Sequence, residues 1–287
     1  MKIGIIYPQT ELKGDPNAVR LIGLEAEKLG FDHLLTYDHV LGATHDRLPK
    51  LTGPYTEKEP FHDPFVMFSY LAGITQRIEF VAGVLILPQR QTVLVARQAA
   101  DLDLLSAQRF RLGVGVGWNY VEYDAMGQNF HVRGRRAAEQ IELLRLLWTQ
   151  PLVDFTGKFD RVDRAALNPR PKRSIPIWIG GFAEASLRRA AAVGDGFICV
   201  DGAVDAFEQV SKLKQHLKEA ARPKEGFGLH CNMLRAKSVE QVVETASRWQ
   251  DIGGTHASVV TMGKGFTSLE QHIGYMRQVA DAIRGKF

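Results

Sequence analysis

A closed (β/α)8 barrel is the fold this sequence predicts, and three observations predict it. Short apolar runs alternate with longer amphipathic ones along nearly the whole chain. Strands separated by helices imply a parallel sheet, because right-handed crossovers need the helices. The alternation gives eight strand–helix pairs in 287 residues, which suits a closed barrel better than the competing open, doubly wound sheet. Residues 1–287 therefore read as one barrel domain.

The elements follow in order. Lys2 to Tyr7 reads as a buried strand. Asn17 to Leu29 reads as a helix with Ala18, Leu21, Ile22, Ala26 and Leu29 on one face and Gly30 closing it. His33 to Thr36 is the second strand. Asp63 caps the next helix, with Pro64 at its first position, and the helix runs through Leu71 and Ile74. Ile78 to Leu87 is the third strand, Thr92 to Ser106 a helix, Arg109 to Val116 the fourth strand and Arg133 to Trp148 a long helix. The second half continues with strands Pro176 to Gly180, Gly196 to Val200, Gly226 to Leu234 and His256 to Val260. Its helices are Glu184 to Val193, Val204 to Ala221, Ser238 to Gln250 and Ser268 to Ile283. Two connections are long. Leu41 to His62, rich in Pro, Gly and Thr, follows the second strand and reads as a lid or a solvated loop. Pro151 to Ser174, rich in Arg and Pro, follows the fourth helix and reads as a loop.

Composition narrows the function. Apolar residues make up 45% and charged residues 24%, an ordinary globular mixture, so disorder is excluded. The net charge of +4 carries no run of five or six like charges, which argues against nucleic acid. Two cysteines, Cys199 and Cys231, make neither a disulfide framework nor a zinc ribbon. No His-Glu-x-x-His spacing points to a metal. The first apolar run is too short for a signal peptide, and no stretch approaches a membrane span. The expectation is a soluble, cytoplasmic protein acting on a small molecule, with no membrane partner.

In such a barrel the active site lies at the carboxyl ends of the strands. Asp38 and His39 follow the second strand and are the best pair for proton work, since imidazole titrates near neutral pH. A capped strand end with a solvated imidazole is the plain alternative. Gly113, Gly115 and Gly117 alternate along one face of the fourth strand, where missing side chains admit a flat ring or simply permit tight packing. Trp118 breaks a Gly-x-Gly-x-x-Gly fingerprint there. Gly180, Gly181, Phe182 and Ser186 run from a strand into a helix, where free N–H groups and the positive helix end suit an anion. An ordinary βα turn has the same composition. Arg133, Arg135 and Arg136 open a helix where cations oppose the helix dipole; an anionic ligand explains at least one of them, and solvation explains the others.

Several stretches together carry a family resemblance. Gly83 to Pro88, Ala99 to Ser106, Arg109 to Asn119, Ile177 to Gly181 and Gly194 to Phe197 resemble the bacterial luciferase-like flavin enzymes, in the same order and over most of the chain. The details are most similar to the branch that uses the deazaflavin coenzyme F420. That resemblance implies a luciferase-like TIM barrel with the ring at the strand ends and a non-prolyl cis peptide at or beside Gly83–Val84. It implies Gly83, Val84, Gly115, Val116 and Gly117 beside the ring, with the phosphate on Gly180, Gly181, Phe182 and Ser186, helped by Arg133. His39 matches the histidine facing the reacting ring carbon, and Asp38 matches its acidic neighbour. The implied activity is F420-dependent hydride transfer with a small organic substrate. An FMN-dependent monooxygenase using O2, served by a separate reductase, is the first alternative. A non-catalytic flavin-binding barrel is the second. Many such proteins pair, so a homodimer is implied. Trp118 stands where sugar-phosphate dehydrogenases of the F420 branch carry a glutamate, which argues against sugar-phosphate oxidation. No cysteine matches the reactive one of the luciferases, which argues against light emission.

Overall fold

Eight parallel strands close on themselves in the order β1 (Lys2–Ile6), β10 (His256–Val260), β9 (Gly228–Met233), β8 (Gly196–Asp201), β7 (Ile177–Gly180), β4 (Phe110–Gly115), β3 (Glu79–Ile86) and β2 (His33–Thr36), with β2 pairing back to β1. The predicted barrel is therefore present. The computed structural model describes residues 1–202, 204–221 and 226–287. Around the barrel lie α1 (Pro16–Lys28), α2 (Pro64–Ala72), α3 (Thr92–Leu105), α5 (Arg133–Thr149), α6 (Glu184–Val193), α7 (Ala206–Glu219), α8 (Val239–Asp251) and α9 (Leu269–Ile283).

Side-chain alternation divides the core in two. On β9, Leu229, Cys231 and Met233 face outward into the large apolar layer beneath the helices. His230 and Asn232, between them, face the bore. A smaller cluster of Ile6, Leu35, Val81, Trp178, Ile198 and Val260 fills the bore.

The helix starts obey the local signals. The Asp63 carboxylate accepts from the N–H groups of Phe65 and Val66, and Pro64 occupies the first turn, where it loses no hydrogen bond. Asp205 caps α7 in the same way, so that helix begins at Ala206 rather than at Val204.

Two segments differ from the sequence reading. The stretch Pro151 to Ser174 is no plain loop: β5 (Val153–Thr156) and β6 (Arg161–Ala165) pair antiparallel within it. Only Val153 and Val162 of these strands are buried, so an apolar pattern has nothing to register. The turn is held from below by Glu139 of α5, whose carboxylate accepts from the N–H groups of Lys158, Phe159 and Asp160. The second segment is α4 (Tyr120–Ala125), a short helix between β4 and α5. Six residues are too few to show a 3.6-residue period.

Among the described residues no helix is long and apolar enough to cross a membrane. No group of three metal-ligating side chains occurs among them either.

Candidate active site

The carboxyl end of β2 delivers His39 to the barrel mouth, and α4 delivers its partner. Nδ1 of His39 lies 3.2 Å from both carboxylate oxygens of Glu122. The same carboxylate accepts from the N–H groups of Val40 at 2.7 Å and Leu41 at 3.1 Å. The Glu122 side chain is 2% exposed and that of His39 9% exposed. A carboxylate at Nδ1 makes that nitrogen the donor and leaves Nε2 to deal with a ligand. Three rings surround the imidazole edge-on: Phe61 at 4.8 Å, Tyr55 at 5.3 Å and Trp118 at 5.6 Å between centroids. Tyr55 and Phe61 come from the long segment after β2, so that segment covers His39. Burial pushes the Tyr55 hydroxyl up to about 12, so it stays protonated as a donor.

Asp38 points elsewhere. Its buried carboxylate accepts from the Ile86 N–H at 2.9 Å and from Arg90 at 2.7 Å. Arg90 also reaches Asp63, the cap of α2, at 3.0 Å. Burial raises the Asp38 carboxyl while Arg90 draws it down. Asp38 therefore braces the ends of β2 and β3 and sets the stem on which His39 sits.

The adjoining wall is built on β3. The Gly83–Val84 peptide is cis, and the β3–β4 register shifts between Ala82 and Leu85. The bulge turns Val84 into the bore. Its γ-methyls fill the places where side chains of Gly115 and Gly180 would stand, because a Cβ on either would lie 2.5 Å from Val84. A Cβ on Gly117 would meet Ile86 at 2.8 Å. A side chain at Gly83 would meet Leu35 at 2.5 Å. Close packing thus accounts for these glycines, and Val84 itself becomes the surface offered at the mouth. Val116 accepts the Tyr123 hydroxyl on its carbonyl at 2.7 Å, which fastens α4 to the end of β4.

The turn from β7 to α6 forms the basic end of the site. Ala183, at the N-cap position, gives no side-chain hydrogen bond to the helix. Gly181 has φ +140°, and a Cβ there would meet Ser186 at 3.1 Å. Ser186 is buried and donates to the Ala183 carbonyl at 2.5 Å, while Phe182 is 54% exposed. Gln209 steadies the turn through the carbonyls of Gly181 and Phe182. Three arginines gather near α5 and α6, and their hydrogen bonds go to backbone carbonyls: Arg133 to Phe130, Arg136 to Arg90, and Arg189 to Gly134. Arg189 thereby ties α6 to the first turn of α5. The Nε atoms of Arg133 and Arg136 are buried without a partner. Arg133 also stacks over the Phe130 ring at 3.7 Å. Arg135 is exposed.

Sequence reasoning did not find Glu122, Tyr55, Phe61 or Arg189. Glu122 follows Asn119, the cap of α4, at capping-box spacing, and that spacing was the signal available.

A parallel barrel thus carries a histidine–carboxylate pair, a bulged strand and a turn flanked by arginines at one mouth. The chain belongs to the luciferase-like monooxygenase family, whose profile matches residues 1–267. An uncharacterized protein of Mycobacterium tuberculosis is 33% identical over 237 residues, covering 81% of each chain. The pyrimidine monooxygenase RutA of Variovorax paradoxus is 28% identical over 257 residues, covering 85% of this chain and 65% of that one. An F420-dependent secondary alcohol dehydrogenase, solved with an F420–acetone adduct, superposes with a TM-score of 0.78 over 99% of both chains at 17% identity, a likeness of fold alone.

Proposed function

We propose that this protein is an F420-dependent oxidoreductase that passes a hydride between the deazaflavin and a small organic substrate. The observation that carries the reading is the His39–Glu122 pair, sheltered by Tyr55, Phe61 and Trp118 at the barrel mouth. The residues present fit such a cofactor. Arg133 and Arg136 leave buried Nε atoms unpaired, and Gly181 keeps open the recess beside Ser186. Arg133, Gly180, Gly181, Phe182 and Ser186 would hold the phosphate end, and Val84 would support the ring, with Gly83, Gly115, Val116 and Gly117 shaping the bulge and strand end behind it.

When bound, the deazaflavin supplies two-electron hydride chemistry; the protein supplies orientation, dryness and electrostatics. His39 Nε2 holds or releases the proton that accompanies the hydride at a substrate oxygen or nitrogen. Glu122 keeps the other ring nitrogen as the donor. Asp38, through Arg90 and the Ile86 N–H, fixes the direction from which His39 approaches. The aromatic rings exclude water from the proton-transfer position.

The similarity to pyrimidine monooxygenases favours a second reading, an FMN-dependent monooxygenase supplied by a separate reductase. Titration of the purified protein with F420 and with FMN, followed by quenching of cofactor fluorescence, separates the two. Tight F420 binding with weak FMN binding is the expected result. The reverse order would replace the first reading with the second.

A further inference from the structure

The inward positions nearest the carboxyl ends of the strands form a floor beneath the mouth. Ile6, Val84, Gly115, Gly180 and Val260 contribute to it and are apolar. Asn232, the last inward position of β9, breaks that pattern. Its side chain is fully buried, and neither its Oδ1 nor its Nδ2 has a hydrogen-bond partner. A short distance below on the same face, His230 is bonded through Nε2 to Ser258 at 2.7 Å, while its Nδ1 is buried without a partner and makes no hydrogen bond to Asn232. Buried polar groups are nearly always paired, and a carboxamide with both ends unpaired in an apolar layer weakens the fold. Leucine, of similar size and shape, would fill the same place without that penalty.

We propose that Asn232 is a cofactor-binding residue that pairs with the imide edge of the flavin or deazaflavin ring. The chemistry is complementary: an imide offers a C=O acceptor and an adjacent N–H donor, and the carboxamide meets them with one of its two N–H donors and its C=O acceptor. Both cofactors carry this edge, so the inference rests on the reading that a flavin-type ring lies on the floor but not on which of the two it is. It adds an anchor on β9, across the barrel from the bulge at Val84.

Two measurements test it. In the first, Asn232→Leu is compared with the unaltered protein in thermal unfolding without cofactor and in titration with F420 and FMN. Expected are a raised unfolding midpoint and at least a tenfold weaker affinity for the preferred cofactor. A lowered midpoint with unchanged affinity would overturn the proposal and make Asn232 a structural residue. The second needs no substitution and so survives a variant that does not fold. Whichever of F420 and FMN binds more tightly should, when methylated at the imide nitrogen, bind the unaltered protein at least tenfold more weakly than its unmethylated form; equal binding would overturn the proposal. If the unaltered protein binds neither F420 nor FMN, the reading of the function fails and the role of Asn232 falls with it. If it binds one of them and Asn232→Leu binds equally well, the role of Asn232 alone fails.

Discussion

At the scale of single residues, Glu122 carries two duties that substitutions can separate. It accepts from two backbone N–H groups, and it fixes the proton on His39. Glu122→Ala strips all three donors of their acceptor. Each buried donor left unpaired costs about 1–3 kcal/mol, so this variant should lose stability as well as activity. Glu122→Gln keeps an acceptor oxygen for the backbone but turns an amide N–H₂ toward the imidazole. Nδ1 then becomes the acceptor and Nε2 takes the proton. An unfolding midpoint near that of the unaltered protein, a fall in kcat of about 10²-fold and a change of tautomer in the His39 ¹⁵N shifts are the expected outcome. Unchanged kcat would remove the pair from the chemistry. Val84 supports a different expectation. Its methyls stand where a Cβ of Gly180 would be, so Gly180→Ala should cost about 1–3 kcal/mol in overpacking. The double variant with Val84→Ala should recover part of that loss in urea unfolding; strict additivity would mean that the two sites do not meet. The glycines of β4 were legible in the sequence as places where a ring or a packed neighbour comes close, and Gly180 of β7 as part of a turn suited to an anion. What fills them was not, because Val84 reaches them only through the bulge in β3.

At the scale of elements, the segment between β2 and α2 behaves as a cover held by α4 and the residues before it. A Cβ on Gly53 would meet the Trp118 ring at 2.3 Å, the Tyr120 hydroxyl bonds to the Pro49 carbonyl, and Asn119 donates to the Leu41 carbonyl at 3.4 Å. The segment was legible as a lid or loop from its composition, but its resting place was not. That place depends on α4, whose six residues leave no periodic trace. The long helices were readable from their apolar faces, and the start of α2 from its cap Asp63, whereas the Asp205 cap of α7 went unread and its start was placed at Val204. The β5–β6 ribbon was unreadable because its strands bury almost nothing. Gly53→Ala should push the cover off Trp118. Cleavage between residues 41 and 62 by a broad-specificity protease should then quicken several-fold, while the global unfolding midpoint stays put. Equal cleavage rates would show that the cover is not seated through Gly53. At the other end of the site, Arg133→Ala should weaken binding of the phosphorylated cofactor more than binding of its ring fragment. Equal weakening of both would take Arg133 out of the anion site.

At the scale of the whole molecule, the barrel has two unlike ends. The candidate site occupies the carboxyl end, and a histidine cluster, with His33 and His230 fully buried and His256 half-buried, occupies the bore toward the amino end. Nε2 of His33 and Nε2 of His230 both lie on the Ser258 hydroxyl, at 2.8 and 2.7 Å, so the hydroxyl donates to one and accepts from the other. His256 packs edge-on to Trp178 at 4.9 Å, and the Arg111 guanidinium lies over that indole at 4.3 Å. Burial, with the nearby Arg111 charge adding to it, holds His33 and His230 well below the ordinary histidine range and His256 down to about 2. The folded state therefore keeps these rings neutral where the unfolded chain would protonate them. Because the unfolded chain binds more protons below pH 6.5, stability is fully present above that pH and falls as the solution is acidified. Each histidine contributes a loss of up to about 1.4 kcal/mol per pH unit below 6.5. The buried Asp38 carboxyl, raised by burial, acts in the opposite direction but only in the carboxylate range. The interval from pH 7 to 5.5 therefore isolates the histidines. Urea unfolding across that interval should show a steep loss, and His256→Phe, which keeps a ring against Trp178, should lessen the slope. Equal stability at pH 7 and 5.5 would mean that water reaches His33 and His230 in the folded protein.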